Sequence, residues 1–157
     1  MSLPIDKDSF VQSFREVAHE VANVSFSERC LSVAPSEQQT KLTVCIPIDG
    51  SENYCVFFDS DKVLAEKMAL AMLGGHAELL ATSDYIDAFS EFGNILGGKL
   101  KRELQGRELG LPMVTERKTN DFHLPASLIV FDVPLSFENY QSRLYLVSFK
   151  DSFSFDD

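Results

Sequence analysis

The chain has 157 residues and a formal charge of -10, from 24 acidic and 14 basic side chains spread along its length. That balance disfavours nucleic acid and anionic membrane surfaces, whose affinity comes largely from Lys and Arg, and favours a basic or lysine-bearing protein partner through electrostatic steering. With 45% apolar side chains and thirteen Phe, the chain has the material for a buried core, and its length predicts one domain over residues 1–157.

Phe10, Phe14, Val17, Val21 and Val24 recur at helical spacing, which predicts a first amphipathic helix over Asp6–Val24 with Asp6 or Asp8 as its cap. KLTVCIPI follows, with Leu42, Val44 and Ile46 alternating as in a half-buried strand, then YCVFF beyond the Asp49-Gly50 turn signal. The two form a hairpin with a longer loop. DSDKVLAEKMALAMLGG then predicts a second helix capped by Asp59, Ser60 or Asp61 and closed at Gly74-Gly75, its apolar stripe running through Val63, Leu64, Met68 and Leu73. After a connector around Glu78 to Ser83 comes a long helix, Asp84 to Gln105. MVTER reads as a short strand beyond Pro112, and LPASLIVFDVPL and NYQSRLYLVSF as a final antiparallel pair joined by PLSFEN. Helix, two strands, two helices and three strands make an α+β fold with a largely antiparallel sheet and helices packed on a face.

Cys30, Cys45 and Cys55 are odd in number and lack CxxC spacing. They predict a reducing, cytoplasmic setting, with Cys45 and Cys55 as buried, inert thiols in strands. His19, His76 and His123 form no metal-ligand pattern. The first residues lack the basic and apolar regions of a secretory signal, and no apolar run approaches the roughly 20 residues that span a bilayer.

The long helix carries the strongest functional signal. At about 100° per residue, Ile86, Phe89, Gly93, Leu96, Gly97, Leu100 and Leu104 share one stripe, which belongs against a core. Asp87, Glu91, Asn94 and Gly98 fall within roughly 60° of one another on the other side. An acid, an amide and a glycine on an exposed face also fit a plain solvated surface, since short motifs match by chance. The two glycines weigh against that. Each costs about 1 kcal/mol relative to Ala inside a helix; Gly97 has a packing reason on the buried stripe, whereas Gly98 has none.

DAFSEFGNILGG, with Asp87, Glu91, Asn94 and Gly98, resembles the signature of the CheC and CheX chemotaxis phosphatase family. The preceding hairpin and helix and the following LGLPMVT agree in order, so the resemblance covers roughly residues 40 to 150. One ExxN copy is present, which is similar to CheX-type members rather than to the duplicated CheC type, and Pro112 follows Asn94 at a shorter spacing than in the usual CheC pattern. The resemblance implies a phosphatase that removes phosphate from the aspartyl phosphate of a CheY-like response regulator. It further implies that Asn94 orients the attacking water, that Glu91 docks to the regulator's lysine, and that Asp87 and Gly98 support partner binding. Mg2+ is then held by the regulator, with no cofactor on this chain, and the chain acts as a homodimer that joins sheets edge to edge. A non-catalytic CheX-like binding module is the alternative, and a small-molecule sensor with a pocket under the sheet is a third.

Other motifs carry less. Gly74-Gly75 before His76 lacks the GxxxxGK[ST] of a phosphate loop. Lys99, Lys101, Arg102 and Arg107 fit the usual basic complement of a helix C-terminus, and Ser83 and Ser90 have no sequence-evident His and acid partners.

Overall fold

The computed structural model describes residues 5–29, 40–50, 52–74, 81–104, 107–118 and 124–149. Helix α1 (Lys7–Ala22) starts where the Asp6 carboxylate accepts the Ser9 N–H at 2.9 Å and stops at Asn23 in the left-handed region, φ 55°. Val24 therefore lies beyond the helix, although it is still buried. Strands β1 (Thr40–Asp49) and β2 (Asn53–Asp61) form the expected antiparallel hairpin. They lead into α2 (Lys62–Met72) and α3 (Thr82–Glu103). Next come β3 (Glu108–Leu109), β4 (Met113–Lys118), a 3-10 turn at Ala126–Leu128, β5 (Ile129–Phe137) and β6 (Tyr140–Phe149).

Among the described residues all strand pairings are antiparallel, and the sheet runs from β3 and β4, end to end along one side of β1, through β2 and β6 to β5. The two-residue β3 has no sequence signal of its own. The β5–β6 turn is tighter than PLSFEN implies, because the strand continues through Pro134 to Phe137 and only Glu138 and Asn139 remain outside it. Beyond β5, Ser27 and Ser136 exchange backbone hydrogen bonds of 2.8 Å.

The helices cover one sheet face. Between them lies an aromatic core in which Phe14 packs on Phe58 at 4.7 Å between ring centroids and on Phe92 at 5.8 Å, with Phe89 and Phe26 beside them. Six phenylalanines here are fully buried, and each ring contributes a large apolar area with edge or tilted packing. In α2 the buried residues are Leu64, Ala65, Met68 and Ala69. The expected stripe fails at its ends: Val63 and Leu73 are 51% and 47% exposed, since close helix packing accepts the small alanines instead. Asp61 occupies the cap position without capping, because its carboxylate pairs with Lys41 at 2.6 Å.

The opposite sheet face is also occupied, so β1 is not half-buried: Thr43 and Cys45 are as inaccessible as Leu42 and Val44. Cys45, Cys55, Phe57 and Val147 pack there with Leu124, Leu128, Tyr145 and Phe149. Cys45 opposes Phe57 and Cys55 opposes Pro47, which sets the cysteines diagonally on one face with Cα atoms 6.5 Å apart and joined as a disulfide. The expectation of two free thiols is thereby corrected, and the reason is a register that links positions ten residues apart. Cys30, His76 and His123 lie outside the described residues. On the same sheet face, Asp59 accepts from Thr43 at 2.8 Å and pairs with Arg117 at 2.7 Å, and Asp132 pairs with Arg143 at 2.6 Å. No described helix is long and apolar enough to cross a membrane.

Candidate active site on the third helix

Helix α3 is held in place by three kinds of contact. Its start is fixed by Asp84, whose carboxylate accepts the Ala81 N–H at 2.9 Å; alanine has no side-chain acceptor to return the bond, so only half of a capping box forms. Its inner face sinks Phe89, Phe92, Leu96, Leu100 and Leu104 into the core, as the periodicity requires, while Ile86 at the stripe's first turn is only half-buried. An ion pair from Lys99 to Glu16 ties its flank to α1 and, with a hydrogen bond from Gln12, holds the Glu16 carboxyl below the usual range. Lys99 is thus a strut between helices. Lys101 and Arg102 are exposed in the last turn, where they complement the helix dipole. Arg107, beyond the helix, stacks over Tyr54 with its guanidinium carbon 5.0 Å from the ring centroid and donates to the Glu52 carbonyl.

A glycine seam forms the other flank. A Cβ on Gly93 would stand 2.8 Å from the Pro112 ring and 2.9 Å from Val44, so glycine is required for α3 to meet β1 and the β3–β4 connection. At Gly97 the same atom would meet Leu109 and Ile46 at 3.5 and 3.6 Å, ordinary contact.

The outer face carries Asp87, Glu91, Asn94 and Gly98, and all four are exposed. Helix geometry places Glu91 and Asn94 about 4.5 Å apart along the axis and roughly 60° apart around it, with Gly98 about 6 Å beyond Asn94. A Cβ at Gly98 would meet nothing within 4 Å. The side chains of Asp87, Glu91 and Asn94 make no hydrogen bond or ion pair with any described residue. The structure therefore leaves a carboxylate and a carboxamide exposed and side by side, unpaired among the described residues. Asn offers both an acceptor and a donor without charge, and Glu offers a charged acceptor for a cation.

Among the described residues, no group of three or more His, Cys, Asp and Glu is arranged to hold a metal ion. A cavity of about 290 Å³ lies at the start of α2, lined by Thr40, Asp61, Lys62, Val63, Glu66 and Tyr140. None of the four motif residues lines it.

A six-stranded antiparallel sheet with three helices on one face is the architecture of CheX and CheC-like chemotaxis proteins. Residues 42–133, more than half of the chain, match the family described as Chemotaxis phosphatase CheX, and the chain belongs to that family. Among solved structures, a CheX from Desulfovibrio desulfuricans is similar at a TM-score of 0.74 with 17% identity, covering 90% of this chain and 97% of that one. A CheX–CheY–BeF3–Mg2+ complex from Borrelia burgdorferi gives 0.70 at 15% identity over 92% and 98%, and a CheC-like protein from a Shewanella species gives 0.67 at 15% over 93% and 99%. At these identities the likeness is one of fold. No curated protein matches the chain.

Proposed function

We propose that this chain is a phosphatase for the aspartyl phosphate of a CheY-like response regulator, acting through Asn94 and Glu91. The observation that carries the reading is the solvated acid–amide pair of α3, on a helix whose other sides are locked. Membership in a family of chemotaxis phosphatases supports it, as does a fold neighbour solved with CheY.

Phosphoryl transfer passes through a loose transition state, so catalysis consists mostly of positioning and charge neutralisation. In this reading the Asn94 carbonyl accepts a hydrogen bond from a water in line with the scissile bond, and its NH2 donates to a phosphoryl oxygen. The water oxygen bonds to phosphorus, the P–O bond to the regulator's aspartate breaks, and the aspartate leaves as carboxylate with inorganic phosphate as the other product. Glu91 would be repelled by the phosphoryl group on its own, and it is placed instead by a charge-assisted bond to the regulator's lysine. Mg2+ would be held by the regulator, where it would supply charge neutralisation to the phosphoryl group. Asp87 supports docking, and Gly98 leaves the helix backbone bare for close approach. By the same family resemblance the chain works as a homodimer, which its molecular mass in solution by light scattering tests.

The function is tested by mixing the purified chain with phosphorylated CheY-type regulators and following acyl phosphate. Loss faster than spontaneous hydrolysis is expected with at least one regulator. Tight binding without any acceleration would leave a binding module in place of an enzyme.

A further inference from the structure

Leu111 is 82% exposed, more than either of the other large apolar side chains exposed among the described residues, Val63 and Leu73. A lone surface leucine is ordinary and carries no message by itself. The backbone that holds this one is fastened on both sides. Before it, the Gly110 N–H donates to the Pro47 carbonyl at 2.9 Å, and a Cβ on Gly110 would lie 3.2 Å from the Pro47 ring. After it, the Pro112 ring fills the notch left by Gly93, while Leu109 lies against Gly97. With Leu109, Gly110 and Pro112 all turned inward onto β1 and α3, Leu111 is turned out.

Its position relative to the motif follows from those contacts. Gly93 and Gly97 immediately precede Asn94 and Gly98, so the loop that caps the two glycines borders the outer face at the level of the amide. Leu111 stands beside that face on a pre-ordered support. Charged groups on such a face steer encounter and fix orientation, yet exposed ion pairs add little net affinity. An apolar side chain already held in place by a rigid loop gains from burial with little further loss of freedom.

We infer that Leu111 is an affinity-determining docking residue for the phosphorylated regulator, which covers it with apolar surface next to its phosphorylation site. The inference takes its partner from the proposed phosphatase reading and adds a residue that the motif does not contain. A second copy of the chain is the poorer occupant: a two-fold contact at Leu111 would bring the Asp87 and Glu91 stripes of two acidic molecules toward each other.

The test titrates CheY-type receivers loaded with beryllofluoride and Mg2+ against the unaltered chain and against Leu111→Ala, Leu111→Asp, Leu111→Met and Asn94→Ala, with turnover measured at saturating phosphorylated receiver. Leu111→Ala is expected to weaken binding about tenfold and Leu111→Asp more, as loss of one buried leucine side chain requires. Leu111→Met stays within about twofold, and saturated turnover and melting temperature change little in all three, since the side chain touches neither the core nor the reacting atoms. Unchanged affinity in both Leu111→Ala and Leu111→Asp overturns the inference. So does a loss of saturated turnover without a loss of affinity, or a shift from dimer to monomer in Leu111→Asp with receiver binding intact. Should Asn94→Ala turn over normally, or the unaltered chain not turn over at all, while binding still depends on Leu111, the phosphatase reading falls and the docking residue stands. An unaltered chain that binds none of the receivers ends the docking inference.

Discussion

On the inner flank of α3 glycine is enforced by contact, and on the outer face it is free. Gly93 sits where any Cβ would collide with Pro112 and Val44, whereas Gly98 faces open space. Both glycines lower the intrinsic stability of the helix by a similar amount, but only the first returns it through packing. The difference separates what the fold demands from what it does not. Side chains on the inner flank answer to β1 and the β3–β4 connection, and those on the outer face answer to whatever the protein meets.

The comparison breaks most readily at its inner side. Gly93→Val is expected to destabilise the protein by about 3 kcal/mol, the cost of forcing extra methyl groups into a packed seam, read as a fall in melting temperature of about 6–12 °C for a domain of this size. A melting temperature unchanged from the parent would show that the seam can open. On the outer face, Glu91→Gln keeps shape and removes charge. It is expected to weaken receiver binding by about two- to fivefold at low salt, the scale of an exposed ion pair, and to flatten the salt dependence of that binding; equal affinity at low salt would contradict a lysine partner. Gly98→Ala sharpens the contrast with Gly93, because it is expected to raise stability by up to about 1 kcal/mol while weakening the encounter. Were Gly98→Ala to destabilise the chain as Gly93→Val does, the two flanks would not differ.

At neutral pH the smallest effect lies across the sheet, since it appears only in alkali. Burial and the Asp132 carboxylate push the Tyr145 hydroxyl up to about 12 from its ordinary value of 10.0. The folded state thus favours the neutral phenol, whose contribution is fully present below pH 10 and is lost as pH rises toward 12. Melting temperature between pH 10 and 12 should fall more steeply in the parent than in Tyr145→Phe; parallel slopes would place the tyrosine in water.

The outer face of α3 is legible from the sequence because it depends only on helical period, a local property: Asp87, Glu91, Asn94 and Gly98 emerge exposed, and Phe89, Leu96, Leu100 and Leu104 buried. The β1–β2 and β5–β6 hairpins are legible for the same reason. What depends on distant partners is not. Nothing local tells β6 to lie beside β2, or β3 and β4 to share one side of β1. Asp61 has the composition of a helix cap until Lys41, twenty residues earlier, claims its carboxylate. The α2 stripe misleads because Val63 and Leu73 are apolar by composition, while the neighbours they would need lie elsewhere. Cys45 and Cys55 look like separate thiols until strand register brings them together. Leu111 has no period to betray it, and its exposure follows only from where Pro47, Gly93 and Gly97 sit.

The most direct measurement is the decay of a phosphorylated CheY-type receiver under single-turnover conditions, with the unaltered chain and with Asn94→Ala, each at saturating concentration as judged by binding of the beryllofluoride form. The expected result is equal binding and a rate lower by about 10²–10³ in the variant, the scale for losing one group that acts on the reacting atoms. Equal rates for the two proteins would remove Asn94 from the chemistry, and with it the proposal that the open face of α3 is an active site.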